Sequence, residues 1–311
     1  MAEQYLTGSN IRLAWDSTCL TAFKTCPRLY KLSIIDGWTP KTENDHLRFG
    51  SEYHRALQDY DIEKTKGSGH KDAMSKVLRD LLLRTMDWHP NPDSKAGKYK
   101  NIDTLTSLVV DYLDHFINDP ARTYIKFDGS PAIEQSFRFE IGFGPKSADQ
   151  AYLLCGHLDR IVEFNDQLMI MDRKTTTTTL GDYYFRQWEP NIQMALYILA
   201  GRVILDTALK GVIIDAAQIL LDKPNRFVRG FTYRTEDQIQ EWLDDLVVVL
   251  DSAERAAQSD KWIMNESACD KYGGCKFRDV CSKSPSVREK FLRANFIQLT
   301  PEERWNPLTT R

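Results

Sequence analysis

Hydrophobic and polar residues change their spacing several times along the chain, and these changes mark the predicted elements. Alternation of apolar and polar side chains predicts strands, whereas a period near 3.6 residues predicts helices. The predicted strands cover residues 133–143, 152–164, 167–175, 211–221 and 227–233. The predicted helices cover residues 18–25, a segment beginning near Arg48, and residues 72–87, 102–118, 183–209, 235–259 and 286–294.

The order of these elements predicts an α/β fold in which a central mixed sheet is flanked by helices. Residues 62–71 and 89–100 are rich in glycine, proline or lysine, which predicts loops between the early helices. We interpret residues 62–130 as a helical insertion within a single domain that spans residues 1–311.

Composition narrows the class of protein without identifying a site. The chain of 311 residues is 42% hydrophobic and 27% charged, which is ordinary for a globular domain. Its net charge of -3 excludes a bulk basic field, so any nucleic-acid surface must be a local patch. Neither a signal-peptide pattern nor an apolar run of about 20 residues is found, and we expect a cytoplasmic protein with no membrane partner.

Charged residues at the end of one predicted strand are the first candidates for chemistry. The apolar run from Leu168 ends in Asp172-Arg173-Lys174, and residues two apart on a strand share a face. The other Asp-x-Lys, at Asp93-Ser94-Lys95, lies in a predicted loop and is set aside. Asp172 and Lys174 are therefore expected to project together.

Two further acids lie on the preceding predicted strands. Asp159 is across the hairpin from Asp172, and Glu134 is one strand earlier, with Glu140 as an alternative on the same face. Clustered carboxylates suit a hard cation such as Mg²⁺ or Mn²⁺, which lowers the pKa of a bound water. Lys174 would orient that water or stabilise developing negative charge.

Several short motifs, taken in order, resemble one known family. They are Phe23–Tyr30 (FKTCPRLY), Phe49–His54 (FGSEYH), Gly156–Ile161 (GHLDRI), Met171–Thr175 (MDRKT) and Gln193–Tyr197 (QMALY). This set is similar to the RecB-type branch of the PD-(D/E)XK nucleases, which includes the AddB nuclease domain, the CRISPR-associated adaptation exonuclease and many phage exonucleases. The resemblance covers nearly the whole chain.

The resemblance implies roles for individual residues. It implies that His54, Asp159 and Asp172 are metal ligands and that Lys174 is the catalytic lysine. Gln193 and Tyr197 match the helix motif near the DNA and the active site, and they share one helix face because they are four residues apart.

The chain contains six cysteines, and in a reducing compartment a clustered set indicates metal or redox chemistry before disulfides. Cys269, Cys275 and Cys281 fall within residues 262–295, a predicted segment that pairs with Cys26. In the nucleases named above, such a set holds a [4Fe–4S] cluster that ties the chain ends together. The spacing departs from the commoner family pattern and from zinc ribbons, so zinc or no metal stays open. Cys19 is the alternative fourth ligand, although Cys19 and Cys155 are typical of buried small side chains.

Contacts with DNA need local positive charge, and aromatic rings can stack on unpaired bases. Candidate phosphate contacts are Arg48, Lys95, Lys98, Lys100, Lys174 and Arg186. Tyr183, Tyr184, Phe185 and Trp188 are candidates for base stacking, with core packing as the alternative.

These features together predict a Mg²⁺- or Mn²⁺-dependent deoxyribonuclease. We expect an exonuclease that acts on DNA ends in recombination, replication or repair, beside other recombination or replication proteins, and in the host cytoplasm if it is phage-encoded. One alternative is a non-catalytic DNA-binding accessory protein on the same scaffold. A cysteine-metal redox or sensor module is another, but it leaves the acid cluster unexplained.

Overall fold

The computed structural model describes residues 11–42, 44–145, 150–207, 209, 211–270, 274–300 and 303–304. Its helices are α1 (Ser17–Thr25), α2 (Pro27–Tyr30), α3 (Asp45–Thr65), α4 (His70–Thr85), α5 (Lys95–Tyr99), α6 (Ile102–His115), α7 (Asp182–Arg186), α8 (Ile192–Leu205), α9 (Glu236–Ser259), α10 (Arg278–Cys281) and α11 (Pro285–Asn295). Its strands are β1 (Ala14–Trp15), β2 (Trp38–Pro40), β3 (Arg122–Thr123), β4 (Ile133–Glu140), β5 (Leu153–Phe164), β6 (Gln167–Thr176), β7 (Gly211–Gln218), β8 (Arg226–Tyr233) and β9 (Phe296–Gln298). A π-helical turn, Lys31–Ile35, and a 3-10 turn, Glu266–Ala268, complete the elements of the described residues.

The described residues form two compact units. The first unit draws on the described residues within 11–42, 136–156 and 236–304, and the second on those within 44–135 and 157–235. Strands β4 and β5 each begin in one unit and end in the other along the chain. Each unit is described by itself below.

The sheet of the second unit carries the candidate chemistry. Its strand order is β5-β6-β7-β8, with β6 and β7 parallel and the other neighbours antiparallel. The β5–β6 hairpin turns at Asn165 and Asp166, whose φ angles of 50° and 58° are those of a tight turn. The parallel β6–β7 pair requires a crossover, which α7 and α8 provide. The predicted α/β fold with a mixed sheet is thereby confirmed.

Side chains alternate along β6, so its two faces contact different parts of the second unit. On one face, Ile170 packs closely against Gly201 of α8. The contact is so close that a Cβ atom added at Gly201 would lie 3.0 Å from the Ile170 Cδ1 atom. On the other face, Met171 belongs to a buried cluster with Val162 and Ile213. Asp172 and Lys174 therefore share the face of Ile170, and Arg173 shares the face of Met171.

Helices α3, α4 and α6 pack together in the second unit around an apolar core. Leu57, Val77 and Leu108 contribute one residue from each helix, and Ala217 of β7 joins the same cluster. Two loop predictions here were wrong. Helix α3 continues to Thr65, and the chain then turns within a few residues because Gly67 adopts a φ of 88°. Residues 95–99 form helix α5, because the Ser94 side chain accepts a hydrogen bond from the Gly97 backbone N–H at 2.8 Å.

The long helix predicted over residues 183–209 was also wrong, because the structure breaks it into α7 and α8. Pro190 has no N–H to donate within a helix, so the periodic pattern cannot continue through it. Asn191 then starts α8, and its side chain accepts hydrogen bonds from the backbone N–H groups of Gln193 and Met194. The break leaves residues 187–191 as a connector beside the end of β6.

The first unit has its own packed groups. Strand β1 pairs in parallel with the beginning of β5, and β2 pairs with β9 in antiparallel fashion. The Trp15 and Tyr30 rings stack with their centroids 5.1 Å apart. Trp38, Phe277 and Phe296 form a second apolar group, against which Cys275 and Cys281 pack. Within the described part of the chain, no helix combines the length and apolar character that a membrane crossing requires.

Candidate active site

Asp172 and Lys174 lie on one face of β6 and contact each other. The Lys174 Nζ atom is 3.0 Å from Oδ1 of Asp172 and 2.8 Å from Oδ2. Asp172 is only 1% exposed, whereas Lys174 keeps part of its side chain accessible. A buried carboxylate that is held by a more accessible ammonium is the core of the site.

Asp159 lies beside Asp172 because of the hairpin register. Arg160 of β5 pairs with Met171 of β6, which brings the adjacent residues Asp159 and Asp172 to neighbouring positions. Asp159 Oδ2 accepts a hydrogen bond from the Arg173 backbone N–H at 3.1 Å. The same oxygen is 3.1 Å from Nδ1 of His54, on helix α3.

Glu134 lies near this group at the beginning of β4. It is buried, and it lines a cavity of about 730 Å³ together with His54, Lys174 and Thr175. Its φ of 47° is rare for a residue other than glycine, and such backbone strain clusters at functional sites. Glu140, the alternative on the same strand, is exposed.

Gln193 and Tyr197 extend the hydrogen-bonded group onto α8. Gln193 Oε1 accepts from Lys174 Nζ at 3.1 Å, and Gln193 Nε2 donates to the Tyr197 hydroxyl at 2.9 Å. The structure therefore brings together in one unit the predicted group of His54, Glu134, Asp159, Asp172, Lys174, Gln193 and Tyr197.

The two neighbouring carboxylates respond differently to their surroundings. Burial raises the pKa of Asp172, and the nearby charge of Asp159 raises it further despite the opposing Lys174 ammonium. Burial also acts to raise the pKa of Asp159, but His54 and Lys174 outweigh it and hold that pKa well below the usual range. Burial lowers the pKa of His54, yet the Asp159 carboxylate more than compensates and raises it overall. Additional positive charge would favour ionised Asp172.

The chemistry of these donors fits a divalent cation. The buried carboxylate of Asp172 and the partly buried carboxylate of Asp159 are hard ligands of the kind that Mg²⁺ and Mn²⁺ accept, and the His54 imidazole is a borderline ligand. Among the described residues, no three His, Cys, Asp or Glu side chains are spaced to hold one ion in this arrangement. His54 and Lys174 instead contact the carboxylate oxygens.

A buried ionic network lies on the opposite face of β6, and the sequence analysis missed it. Arg173 Nη2 is 2.6 Å from Asp61 on α3, and Arg160 Nε is 3.6 Å from the same Asp61 oxygen, Oδ2. The network balances three positive against three negative side chains: Arg160, Arg173, Arg229, Asp61, Asp119 and Asp215. Alternation along β6 indicates which way Arg173 faces, but no local pattern identifies its partners.

One candidate for a phosphate contact is placed differently from the expectation, and two of the aromatic candidates differ in exposure. Lys100 is buried, donates to Thr175 Oγ1 at 3.1 Å and lies 4.2 Å from the centroid of the Phe49 ring. Lys100 is only 3% exposed, so the prediction that it contacts phosphate was wrong. The same burial lowers the pKa of Lys100 to about 8. Of the aromatic group, Tyr183 is 87% exposed whereas Tyr184 is buried.

The predicted cysteine group lies within the first unit. Cys26 Sγ accepts from the Asn265 backbone N–H at 3.4 Å, and Cys269 Sγ is 4.0 Å from the Asn265 carbonyl oxygen. Burial raises the pKa of Cys281, and the Cys275 and Cys26 thiols add to this while Arg28 opposes it. Thiolates are soft donors that suit iron or zinc, but no three of the described cysteine side chains are spaced to hold one metal ion in this arrangement. Residues 271–273 lie outside the described residues.

The comparisons with known proteins identify a family and a fold. The model of the PD-(D/E)XK nuclease superfamily matches residues 17–282. A Eubacterium rectale protein described as a "putative exonuclease" has a crystal structure similar to this one, with a TM-score of 0.51 and 13% identity over 87% of this chain and 91% of that chain. At this identity the likeness shows the fold alone. A second structure, SSO0001, has a TM-score of 0.28 and 13% identity over 78% of this chain and 76% of its own, and it carries no argument. Among curated proteins, none matches this chain.

Proposed function

Because the chain belongs to the PD-(D/E)XK nuclease superfamily, we propose that it is a Mg²⁺- or Mn²⁺-dependent deoxyribonuclease that removes nucleotides from DNA ends. The observation that carries the proposal is the contact of Lys174 with both Asp172 and Gln193, beside the Asp159–His54 pair. A nuclease needs acidic metal ligands next to a cationic group, and these side chains supply both.

His54, Asp159 and Asp172 are the residues that would hold the divalent ion, and Glu134 lines a cavity together with His54 and Lys174. When bound, such an ion polarises the scissile phosphate and lowers the pKa of a coordinated water. In this structure His54 contacts the Asp159 carboxylate and Lys174 contacts the Asp172 carboxylate, so a bound ion would compete with these contacts.

Lys174 would supply the positive charge beside such an ion. Its accessible ammonium is free to interact with the attacking water or the developing charge on the phosphate, while Gln193 restricts its position. The Tyr197 hydroxyl receives a hydrogen bond from Gln193 and so fixes the orientation of the amide. Burial raises the pKa of Tyr197 well above its usual range, with Asp172 adding to the effect, so this hydroxyl stays protonated.

An exonuclease rather than an endonuclease is proposed from two sources. The sequence motifs resemble nucleases that act on DNA ends, and the Eubacterium rectale neighbour is described as a "putative exonuclease". DNA is accordingly the proposed partner, in recombination, replication or repair, with other proteins of those processes alongside it.

A [4Fe–4S] cluster held by Cys26, Cys269, Cys275 and Cys281 is proposed as a second cofactor. The shared neighbour Asn265 and the mutual influence of three of the thiols support it. Four thiolates are a sufficient ligand set for such a cluster. It would link residues from both ends of the chain and stabilise the first unit.

The test compares end-labelled linear DNA with covalently closed circular DNA. We expect the linear DNA to be degraded with Mg²⁺ or Mn²⁺, the closed circle to survive, and EDTA to stop the reaction. Asp172→Ala should lose cleavage, and Asp222→Ala, at an exposed turn residue, is the matched control. Degradation in chelator would refute the metal dependence, and cleavage of the circle would refute the requirement for an end. If the protein binds DNA but does not cleave it with either metal ion, the alternative of a non-catalytic DNA-binding accessory protein would be favoured.

A further inference from the structure

The indole ring of Trp188, in the connector between α7 and α8, lies over the ammonium of Lys174, the candidate catalytic lysine. The Lys174 Nζ atom lies 5.3 Å from the centroid of the Trp188 ring. This distance is within the range in which an ammonium is attracted to the face of an indole. Trp188 does not belong to any of the motifs that define the acid–lysine group.

The backbone of Trp188 is hydrogen-bonded to side chains at the end of β8. Its carbonyl oxygen accepts hydrogen bonds from Arg234 Nη2 at 2.9 Å and from Thr232 Oγ1 at 3.2 Å. Its own N–H donates to the Phe185 carbonyl at 3.0 Å. Three hydrogen bonds to the backbone of this one residue limit the positions that the ring can take.

The ring is not held in place by its own polar group. The indole N–H is buried and forms no hydrogen bond within the described residues. Burying a donor in this way is unfavourable, so another contact must stabilise the ring where it is. The ring meets Lys174 on its face and Tyr184 in an edge arrangement, with centroids 6.5 Å apart in the latter pair.

Lys174 needs such a support because its other contacts change during the reaction. A lysine side chain is flexible, and its ammonium has no preferred geometry of its own. Asp172, one of its two hydrogen-bond partners here, is also a proposed metal ligand. Once that carboxylate engages an ion, Gln193 alone would restrain the ammonium by hydrogen bonding.

We propose that Trp188 is a positioning residue that confines the Lys174 ammonium through the face of its indole ring. The inference rests on the proposed nuclease function. It assigns Trp188 no contact with DNA and no contact with the metal. The ring acts on the rate of cleavage, and only through Lys174.

The experiment measures single-turnover cleavage of end-labelled DNA at saturating Mg²⁺, together with equilibrium DNA binding. Trp188→Leu should lower the cleavage rate about tenfold, as expected for the loss of one partly desolvated cation–π contact. Trp188→Phe keeps an aromatic face and should recover most of the rate. Phe127→Leu removes a fully exposed ring elsewhere in the second unit and should have no effect. DNA affinity should stay within about twofold in all three variants.

A double-variant comparison decides whether the ring acts through the lysine. Trp188→Leu should add nothing to the loss caused by Lys174→Ala, because residues acting as one unit are not additive. An additive loss would overturn the proposal, and so would equal rates for Trp188→Leu and wild type. A parallel loss of DNA affinity would instead make Trp188 a stacking contact. If the wild-type protein cleaves no DNA, the proposed nuclease function fails first, and the inference fails with it.

Discussion

Arg173 and Asp61 form an ion pair at 2.6 Å on the face of β6 that lies opposite Asp172 and Lys174. Arg173 is 3% exposed, and Asp61 belongs to the same helix, α3, as His54. The residue between the two candidate catalytic side chains thus attaches their strand to the helix that carries the candidate metal-ligand histidine.

Asp61→Asn should strongly destabilise the protein, because it leaves the guanidinium of Arg173 buried without its closest counter-charge. We expect a loss of about 3–5 kcal/mol in the free energy of unfolding, measured by urea denaturation. Arg293→Met, which breaks an exposed ion pair with Glu289, is the control and should change little. A minor loss for Asp61→Asn would show that Arg160 and Arg173 are compensated by other groups.

Lys174→Ala should separate catalysis from binding. Cleavage should fall about 10²-fold or more, on the scale of losing one electrostatic stabiliser of the transition state. DNA affinity should change little, because at most one of several phosphate contacts is lost.

Excess Mn²⁺ should partly restore cleavage by Asp172→Ala but not by Lys174→Ala. Single-turnover rates beside equilibrium binding measure both effects, with Lys223→Ala, at an exposed turn lysine, as the control. Near-normal cleavage by Lys174→Ala would remove this lysine from the mechanism.

Asp119 should make stability depend on pH in the acid range. Burial acts to raise its pKa, but the hydrogen bonds and charge of Arg229 prevail and lower it below the ordinary value. A lowered folded-state pKa means that this contribution is complete above the unfolded-state value of about 3.9 and is lost as the pH falls through the folded-state value. The difference in unfolding free energy between wild type and Asp119→Asn should therefore be constant near neutral pH and shrink in acid. A difference that grows in acid would contradict this sign.

The cysteine proposal predicts a coloured protein. Purified without oxygen, it should be brown and contain iron and sulfide in about equal amounts, as expected for a [4Fe–4S] centre. Cys26→Ser should lose the colour and lower the thermal midpoint, whereas Cys155→Ser, at a buried cysteine, should keep the colour. A colourless protein that carries one zinc ion would show that the cysteines bind zinc and not an iron–sulfur cluster. Colour retained in Cys26→Ser but lost in Cys19→Ser would make Cys19 the fourth ligand.

Local pattern was sufficient to predict the centre of the fold. Alternation predicted β5 and β6, and Asn165-Asp166 predicted the turn between them. The hairpin and the two-residue period together predicted that Asp159, Asp172 and Lys174 would lie close to one another. These relationships are short-range in sequence, so few alternative arrangements satisfy them.

Other features depend on contacts between distant segments and could not be predicted in this way. Helical periodicity on both sides of Pro190 concealed the break between α7 and α8, and therefore also the connector that brings Trp188 to Lys174. Lys100 was expected at the surface because lysine usually is, but the Phe49 ring and Thr175 enclose it. Glu134 departs from simple alternation because its φ of 47° redirects the chain at the beginning of β4.

Because side chains alternate along β6, an insertion or deletion earlier in the strand would change the direction of Asp172, Arg173 and Lys174 together. If one residue were lost between Leu168 and Met171, every side chain beyond that point would exchange faces. Arg173 would then point toward His54 and Gln193, and Asp172 and Lys174 would enter the buried ionic network. One frame-preserving deletion of a single codon would thus remove both activity and stability, whereas the same deletion in the exposed turn at residues 221–224 would disturb neither face of the strand.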